Sequence, residues 1–226
     1  MREIVLDTET TGLDPSKGDR IVEIGCVELI NHVATGGYYH TYINPNMSMP
    51  AQAEQVHGLS DDFLKNKPDF REIATEFLEF IRDDILIIHN APFDLGFLNM
   101  ELDKSSNVRI DVNRIVDTLT MARKKFPGSP ANLDALCRRF EIDLSGRNKH
   151  GALLDAQLLA EVYLELLGGR QPGLTLDNIK SGSDPIKNVS IKNIELSTNK
   201  HTASKKELLA HEKFLETIKN PLWKRT

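Results

Sequence analysis

The sequence predicts an α/β protein in which helices flank a mixed sheet of five strands. Three apolar stretches separated by turn-rich segments open the chain, a pattern typical of consecutive antiparallel strands. Helical and strand patterns then alternate, as they do where helices cover a partly parallel sheet. An amphipathic stretch at 152–167, followed by two glycines, is the strongest helical signal and closes this region.

The strands are predicted from short β-branched and apolar runs. The first run is broken by Thr-Thr-Gly, and the turn-rich segments GLDPSKGD and NHVATGG separate it from the next two. The last two runs alternate with helical patterns. The predicted strands are 4–6, 20–30, 38–43, 85–90 and 115–116.

The helices are predicted from apolar residues at intervals of three and four. Ile73, Phe77 and Phe80 form such a stripe in the first helix, and Pro92 suits the first turn of the second. The predicted helices are 70–82, 92–102, 117–125, 132–140 and 152–167.

The composition changes beyond residue 170. Residues 171–200 are rich in Asn, Ser and Lys and show no clear period, which is typical of a flexible linker. Residues 201–226 contain one short apolar helical pattern that has no core of its own. We therefore expect a folded domain at 1–170, a flexible linker at 171–200, and a segment at 201–226 that docks on a partner or on its own domain.

Composition limits the class of protein. The chain has 226 residues, of which 40% are hydrophobic and 27% are charged, as expected for a soluble protein. No apolar run approaches the roughly 20 residues of a membrane span, and no signal peptide is expected. Cys26 and Cys137 lie in apolar patterns, which predicts buried free thiols in a reducing cytoplasm.

Charge is distributed unevenly along the chain. Residues 171–226 contain 10 Lys/Arg and 6 Asp/Glu, whereas residues 1–170 contain 18 Lys/Arg and 27 Asp/Glu. Such an acidic domain cannot hold a nucleic acid through a broad basic surface. If its substrate is a polyanion, metal cations must supply positive charge locally.

Two acids follow the first strand at an interval of two residues. Side chains alternate along a strand, so Asp7 and Glu9 are expected on the same face, roughly 7 Å apart. Their repulsion is costly unless a cation lies between them. The alternative is a solvated strand end, where acids, threonines and glycines are common.

Asp94 and Asp155 are placed to join this pair. Asp94 falls in the first turn of the helix predicted after strand 85–90, and Asp155 is flanked by leucines that predict a packed surrounding. The helix dipole favours acids in first turns, which is the alternative explanation. A buried carboxylate without a partner is costly, and metal binding relieves that cost. Four carboxylates favour Mg²⁺ or Mn²⁺ over zinc.

His150 precedes Asp155 by five residues. On one helix the two side chains would diverge by about 140°, so His150 reaches the same site only from a loop before the helix. Gly151 permits such a loop. Histidine titrates near neutral pH and suits general-base work beside a metal site, although a lone histidine is more often a surface residue.

Three segments together resemble the motifs of the DEDD family of 3′→5′ exonucleases, in the branch that uses His where others use Tyr. Two further segments are similar to the proofreading subunits of bacterial replicative DNA polymerases. The resemblance covers about residues 3–168. The matching segments are DTETTG (7–12), VHGL (56–59), HNAPFDLGFLN (89–99), LDALCRRF (133–140) and H-x-x-x-x-D (150–155).

The resemblance implies an RNase H-like fold and the removal of mispaired 3′-terminal nucleotides from DNA as nucleoside monophosphates. It also implies two divalent cations held by four acids, one of which, Asp7, bridges them, and a neutral His150 that takes the proton of the attacking water. The candidate catalytic residues are Asp7, Glu9, Asp94, His150 and Asp155. The candidate contacts to the terminal nucleotide are Asp7, Glu9, Thr10, Gly12, Leu13, Gln52, Val56, His57, Phe93 and Asp155.

The C-terminal part resembles the tail of the same proofreading subunits. Gln171, Leu174 and Leu176 match the short peptides that bind the bacterial sliding clamp, and Trp223 lies in the segment that docks on the catalytic (alpha) subunit. A small third core subunit is a further candidate partner. The alternatives are a free-standing exonuclease for RNA or DNA ends, which has no need of such a tail, and a non-catalytic adaptor, against which the complete acid set argues.

Overall fold

The structure is a computed structural model that describes residues 1–105, 108–145, 149–169 and 203–218. The chain forms two compact units, Met1–Leu174 and Thr175–Thr226. The predicted division at residues 170 and 200 stays a prediction. The residues predicted to bind protein partners lie outside the described residues: Gln171, Leu174, Leu176 and Trp223.

The first unit is built on the predicted mixed sheet of five strands. Three strands form an antiparallel meander, and two more lie parallel to the first, which gives the order β3-β2-β1-β4-β5. Because β1, β4 and β5 run in the same direction, their carboxyl ends lie at one edge of the sheet. The strands are β1 (Arg2–Thr10), β2 (Ile21–Ile30), β3 (Val33–Tyr42), β4 (Ile85–Ile88) and β5 (Ile115–Asp117).

The five predicted helices are present, and the last of them begins and ends at the predicted residues, 152 and 167. A sixth predicted helix, in the C-terminal segment, is present as well. The helices are α1 (Ala51–His57), α2 (Asp61–Leu64), α3 (Phe70–Ile81), α4 (Ala91–Ser105), α5 (Thr118–Lys125), α6 (Leu133–Arg139), α7 (Ala152–Leu167) and α8 (Lys205–Thr217).

Helices cover both faces of the sheet. α3 and α4 pack on one face, around the fully buried Phe77 and Phe97. α5, α6 and α7 pack on the other face, around residues such as Leu136. Cys26 and Cys137 are buried, one in each core, and they form no disulfide, as predicted. In the described parts of the chain, none of the helices has the length and apolar character needed to span a membrane.

Two strands are longer than the sequence predicts. β1 continues through Asp7 and Glu9, because its backbone there still pairs with β2. β3 begins at Val33, earlier than predicted, since the turn before it consists only of Asn31 and His32, whose φ angles are 51° and 67°. Two-residue turns with both φ angles positive match the twist of an antiparallel hairpin, so strand pairing begins at once.

α1 and α2 are short helices that the sequence pattern does not predict. α1 begins after Pro50 without a side-chain cap, and α2 is a single turn capped by the hydroxyl of Ser60. Both rest on a small cluster that contains Val22, Met49 and Leu64. They are therefore held by tertiary packing, which a local pattern does not reveal.

The contact between α7 and β2 depends on a glycine. A Cβ atom at Gly25 would lie 2.3 Å from backbone atoms of Ala152 and Leu153, at the start of α7. No side chain fits in that space, so only glycine permits this approach. Because Gly25 is the partner of Asp7 on the neighbouring strand, the contact places the first turn of α7 over the carboxyl end of β1.

The described part of the second unit is α8, which begins with a capping box. The hydroxyl of Ser204 accepts a hydrogen bond from the Glu207 N–H, and the Glu207 carboxylate accepts one from the Ser204 N–H. Leu208, Leu209 and Phe214 are exposed along this helix. The short predicted helix is therefore present, and its role in docking stays a prediction.

Candidate active site

The carboxyl end of β1 carries the first two candidate metal ligands. Asp7 and Glu9 stand on one face of the sheet, opposite Gly25 and Glu23 of β2. Glu9 is only 9% exposed. Neighbouring negative charges are costly in such a sheltered position, which favours a cation between them.

α7 and the loop before it bring Asp155 and His150 to the same place. Asp155 lies in the first turn of α7 and is 3% exposed. His150 lies in the loop, as the sequence predicts, and its backbone N–H donates to the Val56 carbonyl at 3.3 Å. Its Nδ1 atom lies 3.2 Å from Oδ2 of Asp155. The loop is thus tied to both α1 and α7.

Glu9, His150 and Asp155 form a cluster in which the potential ligand atoms all lie within 4.8 Å of one another. The two carboxylates form a buried floor, whereas the His150 side chain is 49% exposed at the rim. Within the described residues, this set does not include Asp7 or Asp94. The structure therefore brings three of the five candidate catalytic residues within that distance.

Asp94 approaches the end of β1 from the other face of the sheet. It lies in the first turn of α4, is 3% exposed, and accepts a hydrogen bond from the Thr8 hydroxyl at 2.7 Å. Burial raises the pKa of Asp94 to about 7, although the hydrogen bond from Thr8 opposes the shift. Arg20 holds α4 in position through a two-pronged ion pair with the buried Glu101.

Asp94→Asn is expected to stabilise the metal-free protein at pH 8. The ordinary pKa of an aspartate is 3.8, whereas folded Asp94 holds its proton up to about pH 7. Between these values the folded state binds more protons than the unfolded state, so the free energy of unfolding falls as the pH rises from about 4 to 7. In the asparagine variant this side chain does not ionise, so it causes no such fall in the free energy of unfolding.

Thermal unfolding in the presence of a chelator, between pH 4 and pH 8, measures the effect of Asp94→Asn. We expect its melting temperature to exceed that of the wild-type protein by several degrees at pH 8, with the gap closing toward pH 4. Asp103→Asn, which changes an exposed acid on the same helix, is the matched control. A gap that does not vary with pH would contradict the assigned effect of burial.

The residues predicted to contact the terminal nucleotide lie mainly in two places. Thr10 ends β1, and Gly12 and Leu13 lie in the turn that follows, where the Thr10 hydroxyl donates to the Gly12 carbonyl at 2.6 Å. Val56 lies on α1, beside the His150 loop. Leu13 is 84% exposed and Val56 is 49% exposed, so both present apolar surface to solvent.

The remaining predicted contacts differ in their exposure. His57 is buried at the end of α1, and its Nδ1 accepts a hydrogen bond from the Leu59 N–H at 3.0 Å. Burial lowers the pKa of His57, and the positive charge of Lys149 adds to this effect. Gln52 is exposed on α1, whereas Phe93 is partly buried in the first turn of α4.

Two further residues support the site and are not found by sequence reasoning. Thr8, the donor to Asp94, lies between two acids and faces the opposite side of the sheet from them, so its link to the site becomes visible only when the position of α4 is known. Glu23 lies across from the end of β1 and is hydrogen-bonded to His40 at 2.7 Å, a position that follows only from the strand register. His89, which the sequence analysis leaves outside the site, is hydrogen-bonded through Nδ1 to the Thr118 hydroxyl at 2.9 Å.

Comparison with known proteins gives consistent matches. Residues 4–163 match the model of the exonuclease family. DNA polymerase III subunit epsilon of Rickettsia prowazekii (strain Madrid E) is 50% identical over 225 residues, covering 96% of this chain and 97% of that protein. The same subunit of Escherichia coli (strain K12) is 48% identical over 176 residues, covering 75% of this chain and 72% of that protein. The solved nuclease domain of 3′hExo, a DEDDh family member, bound to rAMP, has a TM-score of 0.63 at 18% identity, covering 74% and 91% of the two chains.

The fold and the family match define the class of protein: a 3′→5′ exonuclease with an RNase H-like fold, from a family that depends on divalent metal ions. The relatives then give its place within this class. The chain belongs to the family of DNA polymerase III epsilon subunits, the proofreading exonucleases.

Proposed function

We propose that the chain removes mispaired 3′-terminal nucleotides from DNA, as nucleoside monophosphates, by hydrolysis that requires two divalent cations. The cluster of Glu9, His150 and Asp155 carries this proposal, because it gathers ligand atoms within 4.8 Å at the end of β1. Asp7 stands on the same face of that strand, and Asp94 reaches the strand through Thr8. The proposed metal ligands are Asp7, Glu9, Asp94 and Asp155.

The donor set fits Mg²⁺ or Mn²⁺. Both ions prefer carboxylate oxygens, and Glu9, Asp94 and Asp155 are each at least nine-tenths buried, where an unpaired negative charge is costly. When bound, the two cations would neutralise the scissile phosphate and stabilise the charge that develops on the attacking and leaving oxygens. An acidic domain can in this way hold the end of a polyanion.

His150 is proposed to accept the proton of the attacking water. Its position at the rim of the cluster gives it access to both solvent and the reaction centre. The 3.2 Å contact between its Nδ1 and Asp155 orients the ring, so Nε2 is the atom proposed to take the proton. The neighbouring carboxylate then stabilises the imidazolium that forms.

The terminal nucleotide is proposed to lie between the turn after β1 and α1. Leu13 and Val56 offer exposed apolar surface to a base, and the buried His57 follows Val56 at the end of α1. A mispaired end reaches such a pocket more readily, because separating a matched end costs roughly a few kcal/mol more. Selectivity for mispaired ends then requires no reading of the base sequence.

The protein partner is proposed to be the catalytic (alpha) subunit of the polymerase, bound through residues 201–226, and the place of action is the bacterial cytoplasm. Relatives named as polymerase subunits match 96% of this chain, which favours a polymerase-bound enzyme over a free-standing exonuclease. Gln171, Leu174 and Leu176 are proposed to bind the sliding clamp, and Trp223 to anchor the polymerase contact. A small third core subunit is a further proposed partner.

A truncated chain, residues 1–176, tests the catalytic and docking proposals together. We expect it to digest a 3′-mispaired primer in Mg²⁺ as fast as the full chain does, and we expect a chelator to stop both. Only the full chain should co-purify with the polymerase catalytic subunit. Digestion that persists without metal would contradict the catalytic proposal, and co-purification of the truncated chain would contradict the docking proposal.

A further inference from the structure

α5, α6 and the segment between them form a positively charged surface on an acidic domain. Residues 118–140 contain five basic residues and one acid, Asp134, whereas residues 1–170 as a whole contain 18 basic and 27 acidic residues. We call this the α5–α6 basic surface. Its basic residues are Arg123, Lys124, Lys125, Arg138 and Arg139.

Part of this charge has a structural role. Lys125 Nζ donates to the carbonyls of Glu165 and Leu166 at the end of α7, at 3.0 and 2.9 Å. The Arg139 guanidinium lies 4.4 Å from the centre of the Phe126 ring. Basic residues in the last turn of a helix also interact favourably with the helix dipole. Lys125 thus holds the end of α5 against the end of α7, and Arg139 holds the end of α6 against Phe126.

Arg123 and Arg138 line open grooves, and Arg139 also borders the groove of Arg138. One groove, of about 550 Å³, runs past His89, Asn90 and Arg123, and a second, of about 570 Å³, runs past Arg138. Pro130 and Asn132 line both grooves, so the two grooves are adjacent, and we refer to them together as the path. Both arginines are exposed. The two guanidinium groups therefore border grooves that are open to a ligand.

This path begins near the proposed reaction centre. In the parallel register of β1 and β4, Val5 pairs with Ile87, so His89 stands level with Asp7 on the next strand. Strands lie about 4.8 Å apart, so the path begins about one strand spacing from the end of β1, and it continues along α5, which follows the strand beyond β4. DNA rises about 3.4 Å per nucleotide of one strand along the duplex axis, so a surface beside the reaction centre meets phosphates a few nucleotides from the 3′ end.

The chemistry of the path favours a polyanion over a protein. In the described parts of the chain, none of the exposed large apolar side chains falls between residues 118 and 140. The core of a protein interface is normally apolar and aromatic. Arginine guanidinium groups and side-chain amides such as those of Asn90 and Asn132 are, by contrast, common partners of phosphate oxygens.

We propose that the α5–α6 basic surface binds the phosphodiester backbone of the DNA strand a few nucleotides upstream of its 3′ end. This inference rests on the proposed function, because it assumes that a DNA 3′ end occupies the site at the end of β1. The surface supplies the affinity that the acidic cluster cannot supply by itself. It carries no base recognition, which suits an enzyme that must act on any sequence.

The double variant Arg123→Gln/Arg138→Gln tests this assignment. Two substrates are compared in Mg²⁺: a single-stranded oligonucleotide of 12 residues, and the p-nitrophenyl ester of thymidine 5′-monophosphate, which has no upstream backbone. We expect KM for the oligonucleotide to rise about tenfold, and KM and kcat for the ester to stay within about twofold of wild type. The plot of log affinity for the oligonucleotide against log salt concentration should become shallower by about 1.4, since each lost phosphate contact contributes about 0.7.

Two further variants complete the test. Arg71→Gln/Lys104→Gln removes two exposed positive charges on the α3 and α4 side of the sheet and should leave both substrates unaffected. Arg123→Lys/Arg138→Lys keeps the charge and should retain most of the oligonucleotide affinity.

Several outcomes would overturn the proposal while leaving the proposed function intact. Unchanged KM for the oligonucleotide in the glutamine variant would show that the surface does not hold DNA. Equal losses on both substrates would show a distorted site, and a lysine variant as weak as the glutamine variant would exclude a role for charge. Failure of the proposed function is distinct, because the wild-type protein would then hydrolyse neither substrate.

Discussion

Asp155→Asn is expected to lower the rate of 3′-end hydrolysis roughly a thousandfold in Mg²⁺. Asp155 is 3% exposed and lies within 4.8 Å of the ligand atoms of Glu9 and His150, so its carboxylate is central to the cluster. Asparagine keeps the shape of the side chain but removes its charge. The loss of several kcal/mol of stabilisation at the developing charges accounts for the size of the effect.

Digestion of a labelled primer with a 3′ mismatch measures the effect of Asp155→Asn, and Asp62→Asn is the matched control. Asp62 is an exposed acid in the first turn of α2, outside the cluster, and its replacement should leave the rate unchanged. Thermal unfolding without metal should show that Asp155→Asn is folded. A folded variant that keeps more than a tenth of the wild-type rate would remove Asp155 from the proposed metal site.

His150→Gln is expected to lower kcat by a factor of about 10² to 10⁴, the range typical for loss of a general base. Metal affinity should change far less, because the proposed ligands are the four carboxylates. The glutamine side chain retains hydrogen-bonding capacity at the rim but cannot take the proton at neutral pH. The effect should therefore fall on kcat, with little change in KM.

Single-turnover digestion combined with Mn²⁺ titration separates the two roles open to His150. His211→Gln, on the exposed surface of α8, serves as the control and should behave as wild type. Equal losses in turnover and in Mn²⁺ affinity would identify His150 as a metal ligand rather than a base. An unchanged rate would leave it without a catalytic role.

Most of the sheet and the major helices follow from local sequence patterns. The stripe of Ile73, Phe77 and Phe80 predicts α3, and the leucines between 152 and 167 predict α7, because each helix buries one apolar face. The alternation of helices and strands in the middle of the chain predicts the mixed sheet. Local patterns succeed where burial of one face decides the structure.

The elements that the sequence does not predict are those held by partners distant in the chain. β1 extends through Glu9 because it pairs with Glu23, and no apolar residue marks that extension. α1 is seven residues long, lacks a side-chain cap, and is stabilised by contact with a small cluster. Short helices of this kind are not stable alone and depend on tertiary packing, so their sequences need not show a helical pattern.

The candidate site was predictable in part. The spacing of Asp7 and Glu9, the position of Asp94 in a first turn, and the loop placement of His150 all follow from periodicity. The support from Thr8 and the tight approach at Gly25 do not, because they depend on how the sheet faces α4 and α7. The roles of these residues in catalysis are proposals that the variants above test.

The seating of α7 on Gly25 has a consequence for the biogenesis of the enzyme. Ribosomes deliver Asp7 and Glu9 at the start of synthesis and Asp155 only near the end of the domain, so a nascent chain that has emerged through α6 lacks a complete set of ligands. Because Asp155 is a proposed metal ligand, we expect such a chain to be inactive toward nucleic acid. We therefore expect nuclease activity to begin in a single late step, when α7 packs on Gly25, so the onset of DNA cleavage would report that this step has occurred.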